Sequence, residues 1–166
     1  MSIQLNFTMQ PQQQTNWCWA ADSSSVSHFY NSASPWTQCK IANSELGRTD
    51  CCGSGASGPC NQDGYLNVAL GITGNLRSWT AGVESYGTVE SQINSQAPLA
   101  VRIGWSGGGG HFIALTGYFA IDFIFFTFQW VTVDDPWYGR SIIPYATVVS
   151  DYQGSGSWTH SYFTKA

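Results

Sequence analysis

The sequence predicts an α+β domain in which helices come first and strands follow. Between Cys18 and Gln96, apolar residues recur at helical spacing in short segments separated by Gly, Pro and Ser. After Pro98, the chain is rich in β-branched and aromatic residues, which are typical of strands. Helices followed by strands indicate an α+β class, and 166 residues fit one domain, predicted over residues 1–166.

The first helix is expected to begin near Cys18. The apolar residues that would share one face of this helix are Trp19, Val26, Phe29 and Tyr30. Asn16 has a side chain that commonly caps a helix N-terminus, so Cys18 would lie in the first turn. There, unpaired backbone N–H groups and the helix dipole favour a negative charge. We expect Trp17 and Trp19 beside it to pack in the core or in a cleft wall.

The remaining elements follow in order along the chain. Short helices are predicted over residues 40–46, 66–70, 89–96 and 145–149, with a loop over residues 50–64. Strands of an antiparallel sheet are predicted over residues 99–103, 112–118, 121–128 and 130–133, with a last short strand ending at Phe163. The apolar segment 119–128 is expected to be buried sheet or, alternatively, a surface that another protein covers.

The composition excludes two classes of protein. Apolar residues make up 43% of the chain and aromatic residues 15%, which is too much apolar surface for an intrinsically disordered protein. Only 10% of the residues are charged, and 6 Lys and Arg oppose 10 Asp and Glu, for a net charge of −4. Since nucleic-acid binding needs a cluster of cations for the phosphates, we expect no nucleic-acid partner.

No segment of the sequence has the pattern of a membrane span or a secretory signal. The most apolar stretch, residues 119–133, contains Asp122 and is shorter than the roughly 20 residues that a spanning helix needs. Residues 1–10 contain no Lys or Arg and no continuous apolar run, unlike a secretory signal. We therefore expect neither feature in this chain.

The five cysteines divide into a group of four and a single residue. Cys39, Cys51, Cys52 and Cys60 lie in a segment rich in Gly and Ser, whereas Cys18 stands between two tryptophans. Structural zinc sites usually space their ligands as C-x₂₋₄-C pairs, so the adjacent cysteines favour two disulfide bonds over a metal site, with free buried thiols as a further alternative. One of the adjacent pair would bond to Cys39 and the other to Cys60, which leaves two pairings open. Such bonds indicate an oxidising environment.

Cys18 is also a candidate nucleophile. A helix N-terminus or a neighbouring imidazole lets a thiol ionise, and Cys18 has the first by its predicted position. His111 follows four glycines at the start of a predicted strand, where its ring would be reachable from a cleft. Asp134 and Asp135 end the strand pair that begins at His111, so antiparallel pairing would bring a carboxylate back beside the imidazole. Taken singly, each residue is more often structural than catalytic.

Together these residues resemble a known family. Gln12 lies six positions before Cys18-Trp19-Ala20-Ala21, and the strings that follow are Gly110-His111-Phe112, Gly117-Tyr118 and Val133-Asp134-Asp135-Pro136-Trp137-Tyr138-Gly139. In this order they resemble the papain-like cysteine peptidases of bacteria, particularly the avirulence-effector peptidases of plant-pathogenic bacteria. The double-glycine leader peptidases of bacteriocin exporters are more distantly similar. Segment 119–128 makes the connection from His to Asp longer and more apolar than the hairpin usual in the family.

The resemblance implies a papain-like fold, in which an N-terminal helical part with the nucleophile at a helix N-terminus packs on a C-terminal antiparallel sheet. It implies Cys18 as nucleophile, His111 as general base and then acid, and Asp135 as the residue that orients the imidazole, with the aspartate before it as alternative. Gln12, or one of the two glutamines after it, would donate to the oxyanion together with the backbone N–H of Cys18. No metal or organic cofactor is needed.

The resemblance further implies a thiol endopeptidase that acts as a bacterial effector or toxin, is delivered into another cell and cleaves a protein there. Such toxins often travel with an inhibitor made by the producing cell, so a cognate immunity protein is an expected partner. A cell-wall peptide amidase or deamidase on the same scaffold is an alternative, although the Asp-Pro pair favours a peptidase. A non-catalytic binding module with a buried, unreactive Cys18 is a further alternative.

Overall fold

The computed structural model describes residues 2–166, so Met1 of the predicted domain lies outside the described range. Within it, the six helices are α1 (Cys18–Tyr30), α2 (Gln38–Leu46), α3 (Cys51–Ser54), α4 (Leu66–Thr73), α5 (Tyr86–Asn94) and α6 (Tyr145–Ser150). The seven strands of the same range are β1 (Ser2–Gln4), β2 (Leu76–Ala81), β3 (Leu99–Trp105), β4 (Gly110–Asp122), β5 (Thr127–Asp135), β6 (Gly139–Pro144) and β7 (Gly156–Thr164). The predicted α+β class is confirmed.

One antiparallel sheet contains the seven strands of residues 2–166. Its order is β2-β7-β3-β4-β5-β6, and β1 pairs with the far part of β4. His111 near the start of β4 lies opposite Ile103 of β3, while Asp134 near the end of β5 lies opposite Ala114 of β4. The hairpin therefore returns the paired aspartates to the neighbourhood of His111, as the sequence predicts.

Helix α1 lies at the centre of the helical part. It packs against α2, α4 and β4, and its residues from Cys18 to Ser27 are all buried. Small side chains let the neighbouring elements approach. Two of the buried hydroxyls are satisfied inside the helix, because Ser23 Oγ donates to the Trp19 carbonyl at 3.0 Å and Ser25 Oγ to the Ala21 carbonyl at 2.6 Å. Trp17 and Trp19 are buried, as predicted.

Two disulfide bonds hold the segment between α2 and α4. Cys39 bonds to Cys52 and Cys51 bonds to Cys60, which selects one of the two pairings that the sequence leaves open. Where a loop was predicted over residues 50–64, the chain forms the short helix α3, whose first turn is closed by N–H groups that donate to the Asp50 carbonyl.

The apolar segment 119–128 is not buried sheet, and the separate strand predicted over residues 121–128 is wrong. β4 pairs with β3 up to Leu115 and with β1 up to Phe119. Beyond Phe119, β4 and β5 continue as a two-stranded ribbon whose turn is closed by a bond from the Phe123 N–H to the Phe126 carbonyl at 2.8 Å. At its tip, Ile124 and Phe125 are each 92% exposed.

The other predicted helices and strands are present with shifted ends, whereas the sequence analysis missed β1, β2 and β6. In the part of the chain that the structure describes, every helix falls short of the length and apolarity that crossing a membrane requires.

Candidate active site

Cys18 is the first residue of α1, at the positive end of the helix dipole. Trp17 occupies the cap position, and within residues 2–166 no side chain caps this terminus. The predicted cap, Asn16, instead pairs with Asn61: its backbone N–H donates to Oδ1 and its Nδ2 donates to the carbonyl, both at 2.9 Å. The prediction of an Asn16 cap is therefore wrong, because the disulfide-bonded segment engages that side chain.

The same segment also supports the tryptophans on both sides of Cys18. Trp17 Nε1 donates to the Cys60 carbonyl at 2.8 Å, and Trp19 Nε1 donates to the Gln62 carbonyl at 3.2 Å. Cys60 is held in turn by its disulfide bond to Cys51. The start of α1 is thus fixed by indole hydrogen bonds to a covalently cross-linked loop.

The Cys18 thiol lines a cavity of about 250 Å³ that it shares with Gln12, Asp63 and His111. Cys18 is 9% exposed, and among residues 2–166 it is the cysteine outside the disulfide bonds. A free thiol at a helix N-terminus, beside an imidazole and open to a cavity, is the environment in which a cysteine acts as nucleophile.

His111 is held by Asp135, which lies at the end of β5. The His111 Nε2 and Asp135 Oδ1 atoms are 2.8 Å apart. The same carboxylate accepts the backbone N–H groups of Trp137 at 2.6 Å and Tyr138 at 3.0 Å, and Tyr152 donates its hydroxyl to Oδ2 at 2.6 Å. Four donors therefore fix the orientation of the Asp135 carboxylate.

These contacts set the charge state of the pair. Burial disfavours the imidazolium of His111, but the hydrogen bond to Asp135 and its charge, with a further contribution from Cys18, outweigh burial and raise the pKa of His111 to about 9. Burial acts to raise the pKa of Asp135, yet the hydrogen bond and charge of His111 and the Tyr152 hydroxyl hold it below its usual value. Near neutral pH the pair is an imidazolium and a carboxylate. The second ring nitrogen, Nδ1, then also carries a proton.

Asp134 serves a different group. Its carboxylate accepts Arg140 Nε at 2.9 Å and the Thr116 hydroxyl at 2.6 Å. Of the two adjacent aspartates, the structure brings Asp135 to His111 and turns Asp134 toward β6, as alternation along a strand requires.

Gln12 lies in the Cys18 cavity, whereas the two glutamines that follow it line a different cavity beside the disulfide bonds. Its amide is engaged within its own loop: Nε2 donates to the Gln14 carbonyl at 2.9 Å and to the Thr15 carbonyl at 2.8 Å. Its Oε1 is buried and has no partner among the described residues. Donation from Gln12 to an oxyanion would thus require one of these two bonds to be exchanged.

The sequence analysis missed two residues of this site. Tyr152, which follows α6, reaches Asp135 across 17 positions. The ring of Trp105 stacks between those of His111 and Tyr152, with centroids 6.0 and 6.3 Å away. No local sequence pattern indicates either residue. The Asp135 carboxylate, by contrast, accepts the two N–H groups that follow Pro136, and this turn is typical of the Asp-Pro pair that the sequence contains.

The comparison with protein families agrees with this geometry. A family model described as "Papain-like cysteine protease AvrRpt2" matches residues 1–149, a range that includes Cys18, His111 and Asp135 and ends before Tyr152. No curated protein matched the chain. The match covers most of the 166 residues, and the chain therefore belongs to the AvrRpt2 family of papain-like cysteine proteases.

Proposed function

We propose that this cysteine peptidase cleaves peptide bonds with Cys18 as nucleophile, His111 as general base and acid, and Asp135 as the group that orients the imidazole. One observation carries the proposal. His111, joined to Asp135 at 2.8 Å through Nε2, lines the same cavity as the Cys18 thiol at the start of α1. Nucleophile, base and orienting group are thus arranged in the order that thiol catalysis needs.

In the first half of the reaction, the thiolate of Cys18 attacks the carbonyl carbon of the scissile peptide bond. The carbonyl π electrons move to oxygen and form a tetrahedral oxyanion. When this intermediate collapses, the C–N bond breaks and His111 donates its Nδ1 proton to the departing amine. The acyl group remains on Cys18 as a thioester.

In the second half, a water molecule attacks the thioester. His111, now neutral, accepts a proton from that water while a second oxyanion forms, and its collapse releases the carboxylic acid and the thiolate. Asp135 remains ionised throughout, since its role is to stabilise the imidazolium and fix the ring.

The backbone N–H of Cys18, at the positive end of α1, donates a hydrogen bond to the oxyanion, and Gln12 is the proposed second donor. Because Gln12 already lines the cavity, its amide needs to exchange only one of its two loop hydrogen bonds in order to donate to the oxyanion. A preorganised donor such as the Cys18 N–H contributes on the order of 3 kcal/mol to transition-state stabilisation, and Gln12 contributes less by the free energy of the loop hydrogen bond that it exchanges.

Covalent labelling tests this site directly. An epoxide inhibitor of papain-type enzymes is expected to form a single adduct on Cys18, and the His111→Ala variant is expected to lose most of it. The Asp134→Asn variant, altered beside the same strand end, should retain the adduct. Cys18→Ala should abolish peptide hydrolysis. Equal labelling of the wild type and His111→Ala, or hydrolysis by Cys18→Ala, would refute the proposal.

We also propose that the chain acts as an effector delivered into another cell, where it cleaves a protein. Its two disulfide bonds support passage through an oxidising compartment. New protein N-termini should be detected in target cells that receive the wild type and be missing with Cys18→Ala. A cognate inhibitor from the producing cell should protect Cys18 from the epoxide. Identical N-termini with both proteins would contradict the effector role.

A further inference from the structure

A larger cavity, which His111 does not line, also adjoins Cys18. Its volume is about 520 Å³, a size that binds a segment of peptide or a small ligand. Cys18, Asp63 and Gly110 line both this cavity and the one that contains His111. The walls are largely aromatic, contributed by Trp19, Tyr65, Trp79, Phe112 and Tyr162.

Arg102 of β3 supplies a positive charge inside this aromatic cavity. Its Nη1 donates to Thr159 Oγ1 at 3.1 Å and its Nη2 to the Gly109 carbonyl at 3.5 Å. The guanidinium lies against Gly110, since a Cβ at that position would be 2.6 Å from Nη2. The charge is therefore held beside the residue that precedes His111.

Arg102 has no acidic partner among residues 2–166, whereas Arg48 and Arg140 form salt bridges with Asp50 and Asp134. Asp63 also lines the cavity, but it is exposed and forms no salt bridge with Arg102. Burial and the Arg102 charge lower the pKa of His160, so this imidazole is neutral near pH 7. The guanidinium therefore has no salt-bridge partner among residues 2–166, in a cavity whose lining is partly aromatic and partly polar.

We propose that this cavity is a substrate subsite in which Arg102 binds the carboxylate of an Asp or Glu close to the scissile bond. The inference rests on the proposed function and adds the chemistry of the substrate. A guanidinium offers five N–H donors in a planar fork, of which Thr159 and Gly109 engage two. The remaining donors can bind a carboxylate by charge-assisted hydrogen bonds.

The surroundings make this interaction selective. The chain carries a net charge of −4, so its surface as a whole repels acidic peptides and Arg102 supplies a local attraction next to the thiol. The aromatic residues of the cavity offer apolar surface for the methylene groups of Glu. A Lys or Arg of the substrate in the same subsite would be repelled by the positive charge of the guanidinium.

Cleavage sites in a peptide library, mapped by mass spectrometry, identify the substrate position at which an acidic residue is preferred. Peptide pairs that differ only by Glu or Gln at that position then measure the effect of the charge on kcat/KM. The wild type should cleave the Glu peptide with a kcat/KM about 10- to 100-fold higher. Arg102→Gln should remove this difference. Arg102→Glu should reverse the preference toward Lys, a gain that misfolding cannot produce. Arg77→Gln is the matched control, because Arg77 packs over the Phe163 ring, and it should keep the preference for Glu.

The outcomes separate this inference from the proposed function. Equal cleavage of the Glu and Gln peptides by the wild type, or a preference for Glu that survives Arg102→Gln, would overturn the subsite and leave the peptidase intact. Failure to cleave any library peptide would overturn the proposed function and this inference with it.

Discussion

Replacing Asp22 with Asn tests the protonation state of a buried carboxyl group in α1, one turn after Cys18. Asp22 is fully buried, and neither of its carboxyl oxygens has a hydrogen-bond partner among the described residues. Burial raises the pKa of Asp22 to about 8; the charge of His111 opposes this rise, while those of Asp135 and Asp134 add to it. Asp22 should therefore be neutral in the folded protein near pH 7.

This shift has a calculable effect on stability. In the unfolded chain an aspartate ionises near pH 4, whereas folded Asp22 keeps its proton up to about pH 8. Because folded Asp22 keeps its proton in this window, its contribution to the free energy of unfolding is highest below about pH 4 and falls as the pH rises to about 8. Each pH unit corresponds to about 1.4 kcal/mol, so the loss at pH 7 is on the order of 4 kcal/mol.

Urea unfolding of the wild type and Asp22→Asn at about pH 4 and about pH 7 measures this term. The variant binds no proton at this position, so its stability relative to the wild type should rise by roughly 4 kcal/mol between the two pH values. Asp151→Asn, at an exposed position, controls for the loss of one negative charge and should show no such rise. A difference between Asp22→Asn and the wild type that is independent of pH would refute the reasoning, because Asp22 would then be ionised when folded.

Three further predictions concern the site and its supports. Asp135→Asn removes the charge that helps raise the pKa of His111 to about 9, so the alkaline limb of the kcat/KM profile should move roughly one unit lower, while Asp134→Asn leaves the limb unmoved. Serine replacement of either disulfide pair should lower the free energy of unfolding in urea by about 3 kcal/mol. The loss of peptide hydrolysis should be greater when Cys51 and Cys60 are replaced, because the Cys60 carbonyl binds the Trp17 indole. Equal losses of activity for the two pairs would argue against this support. Gly64→Ala should lower Tm and activity, because a Cβ there would be 2.4 Å from the buried Trp19 ring, whereas Gly71→Ala has open space and should not lower Tm.

The helices could be predicted because their apolar periodicity is local, but the environment of the β4–β5 ribbon could not. Residues 119–128 are apolar enough for buried sheet, and periodicity does not say how far the neighbouring strand extends. β3 pairs with β4 up to Leu115 and β1 up to Phe119, so the lengths of other strands decide that Phe125 is exposed. β2 and β6 were missed because neither contains a buried residue, and such strands show little of the alternation that marks a half-buried one.

The proximity of His111 and Asp135 could be predicted from the sequence, because the register of a hairpin fixes which strand ends meet. The support of Asp135 by Tyr152 could not, since the hydrogen bond joins positions that are adjacent only after α6 folds back on the sheet. The same holds for Arg102, whose neighbour Gly110 carries no sign of the guanidinium packed on it. Sequence thus predicts which polar groups meet in the candidate site better than it predicts what surrounds them.

The chain combines a thiol that must stay reduced with two bonds that must stay oxidised, and the fold keeps them apart. A thiolate attacks a disulfide only by direct approach to a sulfur atom. Cys18 opens toward cavities that no disulfide-bonded cysteine of residues 2–166 lines, while Cys39, Cys51 and Cys52 border another cavity with Trp17. Trp17, the residue before Cys18, borders that other cavity, and its buried indole is fixed to the Cys60 carbonyl at 2.8 Å. The cavities open to Cys18 thus contain no disulfide sulfur for its thiol to attack, which is what the proposed nucleophile needs in order to stay unpaired where the disulfide bonds form.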